Sequence, residues 1–128
     1  RLIVAGGRDY ALGPDEFEWL DRLHERIQVA EVVDGGATGA DAGGRSWARS
    51  RGIAVTPFPA AWSDLDAPGA VVRTRADGTR YNARAGHDRN EAMAREADAL
   101  AVFPGGSGTA DMIRRAERHG LTIYRYKP

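Results

Sequence analysis

Three stretches of this chain place glycines where an apolar run gives way to polar residues. They are Gly6-Gly7-Arg8-Asp9, Asp34-Gly35-Gly36-Ala37-Thr38-Gly39-Ala40-Asp41, and Phe103-Pro104-Gly105-Gly106-Ser107-Gly108-Thr109-Ala110-Asp111-Met112. Glycine lets backbone N–H groups come close to a ligand, and the first-turn amides and dipole of a following helix favour negative charge. The chemistry open to such turns is to hold an anion, above all a phosphate. Any one of them also reads as a tight turn with no ligand, but three in one chain favour the anion. The third is the fullest. Ala99-Leu100-Ala101-Val102 reads as a strand buried on both faces, Pro104 and the glycines as a turn, and Thr109 as the N-cap of a helix. Its glycine spacing fits neither the G-x-G-x-x-G fingerprint nor the P-loop, which would also need a lysine.

Side chains with chemistry cluster beside these turns. Arg8 and Asp9 follow the first directly. In the second, Thr38 is placed as an N-cap with Asp41 three residues on, in the manner of a capping box. Two roles are open to Asp41: that cap, or a contact to a ribose hydroxyl or a ligand amine. His87 and Arg89 sit near the start of a later helix, where Arg89 is either a solvated surface residue or a phosphate contact. Trp62 opens a long connection and is expected to plug the core edge, with stacking on a base as the other reading. His24 lies on an apolar helical stripe and is expected to be a helix-edge residue, not a ligand.

These residues need a scaffold, and the periodicity supplies one. Short apolar runs at Leu2–Ala5, Glu31–Asp34, Ile53–Pro57, Ala99–Val102 and Leu121–Tyr124 read as strands. Between them lie helical patterns: from Pro14 through Phe17, Leu20, Leu23 and Ile27; through Trp47 and Ala48 to a stop at Arg51-Gly52; over Arg84–Ala97; and through Met112, Ile113 and Ala116 to His119-Gly120. From Phe58 to Arg84 the pattern changes to a long connection. Within it Ala70–Arg75 and Thr79–Tyr81 flank the turn dipeptide Asp77-Gly78, which predicts a small exposed hairpin. Alternating strands and helices predict an α/β domain with an open, doubly wound parallel sheet. All three glycine turns then fall at its carboxyl edge, where ligands bind at the switch point of the strand order.

With 128 residues the chain is expected to form one domain, residues 1–128. It has no cysteine, which excludes disulfides and thiolate metal sites and suits a reducing cytoplasm; no cofactor or metal is expected. No apolar run approaches the roughly 20 residues that span a bilayer, and no signal peptide is visible from Arg1 onward. Lysine plus arginine equals aspartate plus glutamate, 18 each, so the whole-molecule charge gives no sign of nucleic-acid binding. Lys127 is the only lysine beside 17 arginines, which suits bidentate phosphate contacts.

The three glycine motifs, with Trp47-Ala48 after the second and His87-Asp88-Arg89-Asn90 and Met93 between the second and third, resemble the YspA/YpsA-related branch of the SLOG superfamily. The resemblance runs from Leu2 to Ile123, with Leu65–Tyr81 as an insertion. It implies a Rossmann-like three-layer domain with a central parallel sheet of about five strands. It also implies that Gly105, Gly106, Gly108 and Thr109 cradle a phosphate while Gly35, Gly36 and Thr38 line the opposite wall. Pro104, Ser107, Gly39, Ala37 and Asn90 enter the expected site with these motifs, as do Gly6, Gly7, Arg8, Asp9, Asp41, Trp62, Arg89 and Asp111. Arg89 falls where the superfamily's phosphoribohydrolases carry a functional arginine. Those hydrolases also carry a glutamate three residues after the motif threonine, and here that position is Met112. Asp111 is adjacent, but one residue along a helix rotates a side chain by about 100°.

The leading expectation is therefore binding of a nucleotide-derived small molecule containing phosphate and ribose, as a sensor or sequestering protein. The alternative is a nucleotide phosphoribohydrolase, with Arg89, Asp111 and Asp41 as candidate catalytic residues and Asp9 or Asp88 as further stand-ins for the carboxylate. A single-stranded-DNA module is the third reading, opposed by the zero net charge. A homodimer is expected, with Met93, Ala94 and Ala97 and the Trp47 helix supplying its face. No membrane contact is expected, and a bacterial or phage source fits the resemblance.

Overall fold

A computed structural model describes residues 1–128. Seven strands and four helices follow in the order β1 (Leu2–Ala5), α1 (Pro14–Ile27), β2 (Glu31–Asp34), α2 (Ala40–Ser50), β3 (Ala54–Pro57), β4 (Val72–Thr74), β5 (Arg80–Asn82), α3 (Ala85–Glu96), β6 (Ala99–Val102), α4 (Ser107–Arg118) and β7 (Thr122–Arg125). Five strands form one parallel sheet in the order β3-β2-β1-β6-β7, and β4 and β5 pair as a separate antiparallel hairpin. This is the α/β, three-layer, doubly wound arrangement that the alternating pattern predicts. The strand order reverses between β1 and β6, whose residues pair from Leu2 with Ala99 to Ala5 with Val102.

Alternation along each strand splits the core in two. Leu2, Val4, Val32, Ala99 and Ala101 face α1 and α2, where they meet Leu20, Leu23, Ala40 and Trp47. Ile3, Ala5, Val33, Leu100 and Val102 face α3 and α4, against Met93, Ala94, Met112 and Ala116. Because both faces are covered, β1 and β6 read as unbroken apolar runs. Trp47 is fully buried, and its indole N–H donates to Asp21 Oδ1 at 2.8 Å, tying α2 to α1. Met93 and Ala94 are buried as well. Of the face expected to receive a second copy, these three residues are spent inside the chain and Ala97 is half-buried against the core.

Helix starts show where local reading falls short. At α1, Pro14 occupies the first position, as the sequence suggests, and Glu16 accepts the Gly13 N–H at 2.8 Å. The other expected caps are moved. Helix α2 begins at Ala40 after Gly39, and the Thr38 hydroxyl donates to the Arg8 carbonyl at 3.2 Å instead of capping. Helix α4 begins at Ser107, so Thr109 lies within its first turn. In both cases a glycine takes the cap position, and at α2 the Gly7 carbonyl accepts the Ala40 N–H at 3.1 Å in place of a side-chain cap. His24, expected at the edge of the helical stripe, is half-buried in the last turn of α1, where its Nδ1 accepts the Val29 N–H at 2.9 Å. No helix is long and apolar enough to cross a membrane.

Candidate functional site

The loops after β1, β2 and β6 meet at the carboxyl edge because Gly7 joins them through its backbone. Its N–H donates to the Pro104 carbonyl at 2.8 Å, and its own carbonyl accepts from Tyr10 and Ala40, both at 3.1 Å. Gly105 allows the closest approach in this junction. A Cβ there would meet the Gly7 nitrogen at 2.7 Å and overlap the Thr109 hydroxyl. The three turns thus form one rigid rim.

Beneath that rim lies a cleft of about 430 Å³, within the size range of small-molecule sites. One wall is the first turn of α4, with Gly106, Ser107, Gly108 and Thr109. First-turn amides lack intrahelical acceptors, and α4 has no acidic side chain there to neutralise them. Gly6, Gly7 and Arg8 form the floor, Ala37 and Asp41 a second wall, and Arg89, Asn90 and Trp62 a third. Gly35, Gly36 and Thr38 line the adjoining space, together with Arg8, Ala37, Trp62 and Arg89.

Not every expected residue faces the cleft. Asp9 is exposed on its turn, while Gly39, Pro104 and Gly105 sit behind the rim and shape it. Asp111 is buried between α3 and α4. It accepts from Asn90 Nδ2 and Arg115 Nε at 3.0 Å each, and His87 Nδ1 lies 3.2 Å away. Burial alone would raise its carboxyl, but these donors outweigh it and hold the group below the usual carboxylate range. Its work is to orient Asn90 and His87, which do line the cleft. Trp62 corrects the core-plug expectation: it is half-buried, lines the cleft, and packs where a Cβ on Gly86 would come within 2.9 Å of its ring.

Arg89 and Asp41 are the two ionisable groups set deepest in the site. The Arg89 guanidinium donates to the Gly35 carbonyl and, through Nε, to Asn90 Oδ1 at 3.1 Å. Burial and the nearby Arg8 charge depress its pKa, offset by Asp41 and Asp34, and it stays cationic. Asp41 is 8% exposed, and burial pushes its carboxyl up to about 6 despite the opposing pull of Arg89. Across the same turn Asp34 holds the loop, accepting from the Gly36 N–H at 2.9 Å and pairing with Arg45 at 2.7 Å. No group of three or more His, Asp or Glu residues gathers in a way that could hold a metal ion.

The Asp41 shift has a testable consequence. An ordinary aspartate titrates at 3.8 and this one near 6, so between those values the folded chain holds a proton that the unfolded chain has released. Its contribution to stability is therefore greatest below about pH 4 and falls as pH rises through 6. Asp41→Asn is expected to raise stability at pH 7.5 by about 2–3 kcal/mol, one pKa unit being about 1.4 kcal/mol, and to change little at pH 4. Urea unfolding at the two pH values checks this, and a loss of stability at pH 7.5 would contradict it.

Sequence reasoning missed several lining residues: Ala83, Gly86, His87 as a wall residue, Met93 and Met112 in the cleft, and Arg73, Arg75 and Tyr81 beside it. For Arg73 and Arg75 a signal existed, since alternate positions on a strand share a face.

Comparison with known proteins gives one finding. Residues 1–64 match the model of a family described as the YspA, cpYpsA-related SLOG family. That span holds the first two glycine turns with Arg8, Asp41 and Trp47; the third turn and Arg89 lie beyond it and stand on geometry. No curated protein and no solved structure matches the chain.

Proposed function

Since the chain belongs to the YspA, cpYpsA-related SLOG family, whose membership points to nucleotide-related binding or processing, we propose that it binds a nucleotide-derived small molecule at the β1–β6 switch point and retains it as a sensor or sequestering protein. The observation that carries this reading is the convergence of three glycine turns and Arg89 on one cleft. A phosphate fits against the uncompensated first turn of α4, with Arg8 and Arg89 supplying charge and hydrogen bonds. Asp41 and Asn90 face a ribose or a base. Trp62 offers an apolar surface for stacking.

Asp41 supports a second reading, cleavage of an N-glycosidic bond. A buried carboxyl with a pKa near 6 beside a cation suits general acid work. Against it, Asp41 is the only carboxyl lining the cleft. Met112 puts a thioether where the resemblance to the phosphoribohydrolases calls for glutamate, and Asp111 is turned into the α3–α4 contact. Binding without turnover is the better account.

A thermal-shift panel separates the two readings, using AMP, ADP-ribose, cyclic ADP-ribose, NAD and a cyclic dinucleotide, with mass spectrometry of each mixture. A true ligand at 100 times its Kd adds about 2.7 kcal/mol and should return intact. Release of free base would transfer the argument to Asp41 as a catalytic acid. Stabilisation by none of the five would contradict binding.

A further inference from the structure

The hairpin β4–β5 does more than close off a loop. Its base is fixed by Asn82, which is 1% exposed; the Asn82 N–H donates to the Trp62 carbonyl at 2.6 Å, and its Oδ1 accepts from Arg84 N at 3.0 Å and Val71 N at 3.3 Å. So anchored, the hairpin roofs a second chamber of about 650 Å³ that continues from the glycine cleft past Trp62. Arg73 and Arg75 enter it from β4 and the residue just after it, and Arg8 and Arg89 belong to both spaces. Tyr81 supports the roof: the Arg75 guanidinium lies over its ring at 4.3 Å, and Trp62 packs tilted against it at 6.4 Å.

The charge distribution is the telling feature. The chain carries equal numbers of acidic and basic residues, yet this chamber is lined by four arginines and no aspartate or glutamate. Eight of the other thirteen arginines are ion-paired, as Arg45 is with Asp34 and Arg115 with both Glu91 and Asp111, while Arg26, Arg49, Arg80, Arg118 and Arg125 line neither space. Gathering four cations at one mouth, offset in part only where Asp41 and Asp34 lie near Arg89, costs free energy unless an anion compensates them.

Building on the reading that the cleft binds a nucleotide, we propose that its ligand carries at least two phosphoryl groups. One lies against the first turn of α4, and the chain of phosphates runs past Trp62 to a second group held by Arg73 and Arg75. A diphosphate-bridged nucleotide meets this requirement, whereas a mononucleotide leaves the arginine chamber unfilled. The hairpin is then the element that sets ligand length.

Calorimetric titration of AMP and ADP-ribose tests this on three proteins: the wild type, Arg73→Ala/Arg75→Ala, and a control, Arg26→Ala/Arg118→Ala. The control removes the same charge from residues that line neither space. The wild type and the control should prefer ADP-ribose to AMP by about tenfold or more, and the hairpin variant should lose most of that preference. Preference absent in the wild type, or kept in the hairpin variant, would overturn the proposal while AMP binding left the cleft reading in place. Failure of both ligands to bind the wild type would overturn both. Lost preference in the control would assign the effect to net charge and overturn the role of the hairpin.

Discussion

Gly39→Ala is expected to destabilise the fold by about 4 kcal/mol or more, lowering the Tm by about 10 °C or more. Two causes add. Gly39 has φ +68° and ψ −125°, a region closed to side chains, which alone costs about 1–3 kcal/mol. A Cβ there would also overlap the carbonyl oxygens of Gly7 and Arg8. Neither oxygen is free to retreat. The Gly7 carbonyl accepts from Tyr10 and Ala40, and the Arg8 carbonyl accepts from Thr38. Gly36 separates the two causes, because it has φ +78° but open space around its Cα. Gly36→Ala should cost only about 1 kcal/mol. Chemical denaturation of both variants gives the comparison, and equal losses would mean that the rim is not the rigid junction described above.

Arg89→Ala should weaken binding of a phosphate-bearing ligand by about 100-fold, since a charge-assisted hydrogen bond contributes about 1.5–3 kcal/mol and this guanidinium serves both chambers. Folding should suffer far less, by about 1 kcal/mol, through loss of the bonds to the Gly35 carbonyl and Asn90. The same change removes the main influence holding the Asp41 carboxyl down, so Asp41 should titrate above 6 in the variant. Arg89→Lys keeps the charge but loses the planar fork, and should recover only part of the affinity. Calorimetry for affinity and carboxyl NMR for Asp41 read the two effects independently. Unchanged affinity in Arg89→Ala would remove this residue from the site.

The sheet was legible because its signals are local. Leu2–Ala5 and Ala99–Val102 are apolar runs ending in glycine, and burial on both faces leaves no polar residue to blur them. The three turns were legible for the same reason, and strand-helix alternation alone puts them on one edge. Helix caps were less so. Thr38 and Thr109 look like caps, but Thr38 is drawn to Arg8, thirty residues away in the chain, and the backbone of Gly39 and Gly106 takes the cap positions. Asp111 reads as a candidate acid because it adjoins Met112, the position where the resemblance to the phosphoribohydrolases calls for glutamate. Its environment is set by Asn90 and Arg115 across a helix contact that no local pattern reports. Trp47, Met93 and Ala94 show the converse: apolar residues on helices fit a core and an interface equally well until the layers are stacked. The arginine chamber was hidden because it needs the hairpin, Trp62 and the β2 turn together.

The central claim is that the three glycine turns form one phosphate-binding rim. Amide chemical shifts of 15N-labelled protein, followed while ADP-ribose is added, test it most directly. The account predicts saturable shifts in Gly6–Arg8, Gly35–Thr38 and Gly106–Thr109 together, with little change in the amides of α1. Shifts confined to one turn, or spread over the surface without saturation, would contradict it.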